Sequence, residues 1–279
     1  MSIEAALLDE CARLIRAADG LLIGAGAGMG VDSGLPDFRG EHGFWKAYPA
    51  LGRAKISFDS IASPEAFEKN PRLAWGFYGH RLKLYRETVP HEGFHILRDI
   101  GATMPHGAFV YTSNVDGQFQ KAGFDPNRID ECHGSIHHLQ CLAGCTGKTW
   151  PADEFEPEID NDSCRLLSDF PRCPACDGIA RPNVMMFGDW TWLAGRERAQ
   201  ARRLAEWRRK VGRLVVIELG AGTDIPSVRL FCREQRSPVI RINPREANLG
   251  GLRGVSLPIG AREAMQMIKI GRASCRERV

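Results

Sequence analysis

The stretch Gly20–Gly40, GLLIGAGAGMGVDSGLPDFRG, constrains the fold more than any other part of the chain. Leu21, Leu22 and Ile23 make a short apolar run of the kind that forms a buried parallel strand, and it gives way at once to Gly24, Gly26, Gly28 and Gly30. A strand running into a glycine loop lets backbone approach a pyrophosphate, because side chains would hold the N–H groups away and tight turns often need positive φ. Such a loop alone fits any dinucleotide fold. The next eight residues are more particular. Ser33-Gly34-Leu35-Pro36-Asp37-Phe38-Arg39-Gly40 sets an acid, an aromatic and a guanidinium side by side, and Pro36 breaks the helix an ordinary dehydrogenase would have there. A loop that folds over a bound cofactor is expected.

Composition narrows the class. A chain of 279 residues with 43% hydrophobic and 25% charged residues can bury a substantial core, as one large domain or a large and a small one. A net charge of +3 argues against dedicated nucleic-acid binding, and no apolar run approaches bilayer length. The N-terminal segment carries acids and lacks a signal-peptide layout, so a cytoplasmic protein is expected, opening with an amphipathic helix that buries Ala6, Leu7, Cys11, Leu14 and Ile15. Nine cysteines without an export signal point to reduced thiols, some of them metal ligands.

Along the chain, Glu41–Leu51 is aromatic and expected to be irregular. Ser63-Pro64-Glu65 offers a cap, a proline and an acid for a helix start, and Asn70-Pro71 starts another helix running to about Glu87. Phe77, Leu84 and Tyr85 read as core, whereas Tyr78 and Arg81, three apart, share a helical face. Ala108–Tyr111 reads as a strand ending in Thr112-Ser113-Asn114-Val115-Asp116-Gly117; polar groups at the carboxyl ends of strands in open α/β sheets are ligand candidates. Glu131-Cys132-His133-Gly134-Ser135 comes next, and histidine can accept a proton near neutrality. His137 and His138 are expected to face solvent or belong to a metal module. Cys141-x-x-x-Cys145 and Cys173-x-x-Cys176 read as a zinc ribbon whose four thiolates close a structural site, with Cys164 as the substitute ligand for the irregular first pair. The acids between Asp153 and Asp162 read as a mobile, solvated loop. Arg181–Asp189 is expected to return the chain to the main sheet. Trp192–Lys210 reads as a basic helix with a solvated arginine face. Leu214–Leu219 and Val239–Asn243 read as buried strands, the first ending in Gly220-Ala221-Gly222-Thr223-Asp224. Val255–Ile259 and a helix over Ala261–Ile270 complete the domain, and 271–279 reads as a disordered tail.

Four of these segments, beginning at Gly26, Thr112, His133 and Arg181, resemble the sirtuin family of NAD-dependent protein deacylases in the family's order. The resemblance covers roughly 19–270, with Gly30 and Asp224 where the family usually has Ser and Ser113 where it has Gln. It implies an α/β fold: a Rossmann-like parallel sheet domain (1–40, 91–135 and 181–270) and a smaller domain made of a helical insert (41–90) and a zinc ribbon (136–180). NAD and one structural Zn²⁺ are the implied cofactors, and acyl-lysine proteins or peptides the implied partners of a monomer. Gly26, Ala27, Gly28, Gly30, Asp37, Phe38, Arg39, Ser113, Asn114, Asp116, Gly222, Thr223, Asp224 and Asn243 would bind NAD. His133 would be the general base, with Asn114 and Asp116 beside it. Val184, Phe187 and Gly188 would pair with an extended peptide.

Tyr78-x-x-Arg81 resembles the bacterial branch that removes succinyl and malonyl groups, since Arg81 can pair with an acyl carboxylate and Tyr78 can donate a second hydrogen bond. The implied reaction passes the acyl group to ADP-ribose and releases nicotinamide. Asp224 near a ribose diol would favour NAD over NADP. An NAD hydrolase, an ADP-ribosyltransferase on the same pocket and a non-enzymatic NAD sensor are the competing readings.

Overall fold

The computed structural model describes the backbone of residues 3–37 and 40–276 and the side chains of 5–37 and 44–270. Phe38 and Arg39 lie outside the described residues. The chain opens with α1 (Ile3–Ala17), which buries Cys11, Leu14 and Ile15 while Ala6, expected inside, is exposed. Strand β1 (Gly20–Ala25) is buried at every residue and leads into two short 3₁₀ turns, Ala27–Met29 and Val31–Ser33.

The helical insert then begins. Helices α2 (Gly40–Ala47) and α3 (Pro49–Arg53) occupy the segment expected to be irregular. Pro49 sits at the first position of α3, where its missing N–H is not needed, and burial of Phe44, Tyr48 and Leu51 in the second core fixes both helices. The insert continues with α4 (Phe58–Ile61), α5 (Pro64–Lys69) and α6 (Pro71–Glu87). Ser63 Oγ accepts from the Ala66 N–H, the cap expected from the sequence, and Asn70 Oδ1 accepts from the Leu73 N–H at the expected start of the next helix.

Next come α7 (Glu92–Ala102), β2 (Ala108–Thr112), α8 (Gln118–Lys121) and β3 (Ile129–Glu131). Strands β4 (Gly134–Cys141), β5 (Thr149–Pro151), β6 (Ile159–Asp160), β7 (Arg165–Leu166) and β8 (Ala180–Val184) build the small module. The chain closes with α9 (Gly195–Lys210), β9 (Leu214–Leu219), α10 (Ser227–Glu234), β10 (Val239–Ile242), β11 (Gly254–Leu257) and α11 (Ala261–Arg276). The last helix continues past Ile270 to Arg276, so the tail expected to be disordered is helical as far as the structure describes it; alanine and arginine favour that continuation.

The main sheet has the order β11-β10-β9-β1-β2-β3, with every pairing parallel. From β1 the chain moves outward to β2 and β3, then returns to the other side of β1 at β9, so the strand order reverses between β1 and β9. Ligands of such sheets sit outside the carboxyl ends of the strands at that reversal.

Strand β8 corrects an expectation. It pairs antiparallel with β4, and β4 with β5, in a separate three-stranded sheet; Arg181–Val184 therefore belongs to the small module rather than to the main sheet. The acidic segment is also more ordered than expected. Strands β6 and β7 form a hairpin that seats Ile159, Cys164 and Leu166 in the second core under α6. Close approach there requires glycine, because a Cβ at Gly76 would overlap the Cys164 carbonyl.

Candidate active site

The two loops at the sheet reversal lean on each other's backbone. The Gly26 N–H donates to Leu219 O and the Gly28 N–H to Gly220 O, each at 3.0 Å. A Cβ on Gly28 would lie 2.7 Å from Gly220 Cα, and Gly220 itself has φ +60°, so neither position admits a side chain without displacing backbone. Gly28 thus shapes the loop from behind, and Gly30 packs against Leu35.

The carboxyl end of β2 is braced on the same loop. Thr112 Oγ1 donates to Ala25 O at 2.9 Å and accepts from the Asn114 N–H at 3.0 Å, while Asn114 Nδ2 donates to Gly26 O at 3.0 Å. Two residues on, the Asp116 carboxylate accepts from the Gln118 N–H at 2.9 Å. Burial pushes the Asp116 carboxyl up to about 6; the Gln118 N–H opposes this, Glu131 adds to it and Arg81 offsets part. His137 Nε2 shares a 2.9 Å hydrogen bond with Asp116 O, and His138 stands half-buried near Arg196 and Glu131. Both histidines lie on β4 of the small module, one of the two expected placements, and neither is fully exposed.

These elements enclose a cavity of about 630 Å³. Gly26, Ala27 and Asp37 line it from the first loop, Ser113, Asn114 and Asp116 from the β2 end, and Gly222, Thr223 and Asp224 from the β9 end. His133 enters from the β3–β4 connection, Tyr78 and Arg81 from α6, and Val184 and Phe187 from the β8 side. Among the described residues, Gly28, Gly30, Gly188 and Asn243 are expected site residues that do not line it. Asn243 instead supports the second loop: its Nδ2 donates to Ala221 O at 2.9 Å, and its Oδ1 accepts from the Arg245 and Glu246 N–H groups. Asp37 is held by a 2.7 Å ion pair with Arg245, which ties the first loop to the chain beyond β10.

His133 Nε2 and Ser227 Oγ share a hydrogen bond of 3.1 Å, and burial lowers the imidazole pKa below its ordinary 6.5, so the ring is neutral at pH 7. On the α6 side Tyr78 and Arg81 are both buried, and burial pushes the Tyr78 hydroxyl up to about 12, leaving it a neutral hydrogen-bonding group. Arg81 Nε donates to Tyr85 Oη at 2.9 Å, and its guanidinium lies 5.2, 5.7 and 5.4 Å from the ring centres of Phe77, Tyr78 and Tyr85. Tyr85 and Ser227 line the cavity but were not singled out for it from the sequence. The helical period through Tyr78, Arg81 and Tyr85 carries the signal for the first; the position of Ser227 at the start of α10 marks the second only once the fold is known.

At the tip of the small module, the Sγ atoms of Cys141, Cys145, Cys173 and Cys176 all lie within 4.8 Å of one another. The Cys141–Cys176 and Cys145–Cys173 separations are 3.7 and 3.5 Å, too long for disulfides and close to the roughly 3.8 Å edge of a tetrahedron with Zn–S near 2.3 Å. The donor set fits a closed structural zinc. Cys164 sits apart in the second core and is not a ligand.

A parallel sheet with glycine loops at its reversal, a neutral histidine in the cavity and a four-thiol module beside it define a dinucleotide-using α/β protein with a structural metal. Residues 26–207 match the Sir2 family, and the chain belongs to it. It is 31% identical over 223 residues to an NAD-dependent protein deacylase of Aquifex aeolicus, covering 79% of this chain and 82% of that relative. The NAD-dependent protein deacylase of Methylococcus capsulatus is 30% identical over 271 residues, 93% of this chain and 95% of the relative. Among solved structures, a Sir2 homologue with ADP-ribose superimposes with a TM-score of 0.71 at 23% identity, over 95% of this chain and 97% of that one. A Sir2 homologue–NAD complex gives 0.71 at 22% identity, over 95% and 94%. No helix among the described residues is long and apolar enough to cross a membrane.

Proposed function

We propose that this protein is an NAD-dependent protein-lysine deacylase that moves an acyl group, succinyl or malonyl in preference to acetyl, from lysine to ADP-ribose with release of nicotinamide. The observation that carries the reading is one cavity that holds His133 and Asp116 together with Arg81, the one arginine or lysine among its described lining residues. The Arg81 guanidinium and the Tyr78 hydroxyl, three residues apart on α6, can meet a carboxylate on the acyl chain with charge-assisted hydrogen bonds.

NAD, when bound, supplies an electrophilic ribose carbon and the acceptor for the acyl group. The chain's own residues do the rest. Gly26, Ala27 and the Gly222–Asp224 loop hold the dinucleotide where small residues allow close approach, and the exposed Asp224 carboxylate disfavours a 2′-phosphate. Asn114 is locked by Gly26 O to orient polar groups at the cavity floor. His133, neutral at pH 7, takes up a proton at a ring nitrogen. Val184 and Phe187 border the peptide path, with Phe187 fixed by its N–H bond to Ala62 O and by its edge contact with Phe58. We place the protein in the cytoplasm as a monomer acting on acyl-lysine proteins or peptides, without nucleic-acid binding.

The test is a panel of succinyl-, malonyl- and acetyl-lysine peptides with NAD, comparing the protein with Arg81→Met. Succinyl and malonyl turnover is expected to collapse in the variant. Turnover that survives removes the acidic-acyl reading, and nicotinamide release without any peptide favours NAD hydrolysis instead.

A further inference from the structure

The first glycine loop is fastened from behind by His91, the residue that caps α7. Its Nδ1 accepts from the Gly93 N–H at 3.0 Å, and its Nε2 meets Met29 O at 2.9 Å. An amide N–H can only donate and a carbonyl can only accept, so the ring is the neutral tautomer with its proton on Nε2. Burial lowers the His91 pKa below its ordinary 6.5; the Met29 carbonyl and Asp32 raise it in part, and Arg262 and His95 lower it further. The neutral ring that both contacts need is thus the form present at pH 7.

The chain around the ring makes room for it. A Cβ on Gly93 would come 2.6 Å from Cε1 and 2.8 Å from Nδ1, so a glycine two positions on lets the imidazole fold back over the helix start. The Phe94 ring packs against it at 4.9 Å between centres. The backbone N–H of His91 donates to Ser33 Oγ at 2.9 Å, a second tie to the same loop. One residue therefore holds the loop at Met29 and at Ser33.

Holding Met29 shapes the part of the loop that borders the cavity. The Met29 N–H donates to Gly26 O at 2.9 Å and the Gly30 N–H to Ala27 O at 3.1 Å, so the Met29–Gly30 peptide is bonded back onto the two residues that line the cavity. That Gly26 and Ala27 meet the dinucleotide is the reading given above, and the inference rests on it. A glycine-rich turn has many backbone states open to it, and every state that cannot receive NAD lowers the apparent affinity in proportion.

We propose that His91 is a positioning residue for NAD: its Nε2–H bond to Met29 O holds the turn over 26–30 in its binding shape, while its Nδ1 separately caps α7. The two contacts can be parted. Asparagine offers an acceptor for the Gly93 N–H but ends short of the Nε2 position.

The experiment measures NAD affinity by calorimetry, and kcat and both KM values with the acyl-lysine peptide turned over fastest in the panel above. Wild type, His91→Asn, Ser33→Ala and Ala27→Asp are compared, with thermal melts alongside. His91→Asn should melt with the wild type, since asparagine caps helices well, yet bind NAD about tenfold more weakly, the worth of one buried hydrogen bond. KM for NAD should rise by that factor while kcat at saturating NAD and KM for the peptide hold. Should the asparagine protein fail to fold, Ser33→Ala removes the other tie and carries the same expectation. Ala27→Asp tests the loop itself, because that side chain is exposed and a carboxylate there repels a pyrophosphate. Unchanged NAD affinity in His91→Asn, with Ala27→Asp unable to bind, overturns the positioning role and leaves the loop reading standing. Losses shared by kcat and both KM values mark general loosening and overturn it as well. NAD binding that survives Ala27→Asp removes both readings.

Discussion

The His133 imidazole and the Ser227 hydroxyl, 94 positions apart in sequence, share a 3.1 Å hydrogen bond inside the cavity. Ser227 is the first residue of α10, so the helix start fixes the hydroxyl and the hydroxyl fixes the ring. His133→Ala should cut deacylation by about 10²–10⁴-fold, the usual worth of a general base, while NAD still binds by calorimetry. Ser227→Ala should lower kcat/KM by about tenfold, as expected for loss of one orienting hydrogen bond, with Ser227→Thr close to wild type. Because burial holds the imidazole pKa below 6.5, the acid limb of the pH–rate profile should lie below that value too.

Asp116 stores instability for use in the site. Its folded pKa of about 6 lies above the ordinary 3.8, so the fold favours the protonated form. The stability it contributes is fully present below pH 3.8 and is lost as pH rises through 6. The loss amounts to about 3 kcal/mol at neutral pH, at 1.36 kcal/mol per unit. Asp116→Asn keeps an acceptor for the Gln118 N–H and removes the charge. Its unfolding free energy should exceed wild type at pH 7–8 and converge with it near pH 4, while nicotinamide release falls. A constant difference across that range in urea denaturation would show that the carboxyl titrates normally.

Much of this was legible in the sequence, and the gaps have physical causes. Apolar runs ending in glycine marked β1 and β9 in the sequence, because a strand buried on both faces needs a continuous apolar run, and the run Ala108–Tyr111 marked β2. The partner of β8 was not legible: Arg181–Val184 reads as a strand, but its neighbour β4 is chosen by tertiary pairing rather than by its own residues. Tyr85 read as core, and it is core; a buried tyrosine can pack with its ring and position an arginine with its hydroxyl. Asn243 carried a pattern for ribose contact, whereas its side chain braces the loop from below. The helices α2 and α3 were hidden because Gly43 and Pro49 look like breakers until the burial of Phe44 and Leu51 outweighs local propensity.

The thiol cluster makes a sharp prediction about metal content. Elemental analysis of the purified protein should give one zinc per chain, and Cys164→Ala should keep it because that sulfur lies in the second core. Cys173→Ser should lose it, along with part of the thermal stability, since binding at such sites is folding free energy. Chelation should melt β4, β5 and the module tip before the parallel sheet. A Cys164→Ala protein without zinc would mean that the ligand set is wrong.

The ion pair beneath the peptide path should prove worth more than those on the surface. Arg181 and Asp189 meet at 2.8 Å with both side chains fully buried. The carboxylate also accepts from the Met186 and Thr191 N–H groups, so one acid holds the Val184–Asp189 turn in place. Burial pulls the Arg181 pKa down and Asp189 pulls it back, which makes the pair interdependent. Asp189→Ala therefore strands a buried guanidinium, at a cost of about 3–5 kcal/mol, and loosens the turn that carries Phe187. Urea denaturation should record the loss, and KM for acyl peptide should rise while NAD affinity holds. The exposed Glu65–Lys69 pair on α5 is the control: Glu65→Ala should leave the midpoint where it is, because solvent screens that contact. Equal midpoints for Asp189→Ala and wild type would mean that the loop stands without its acid.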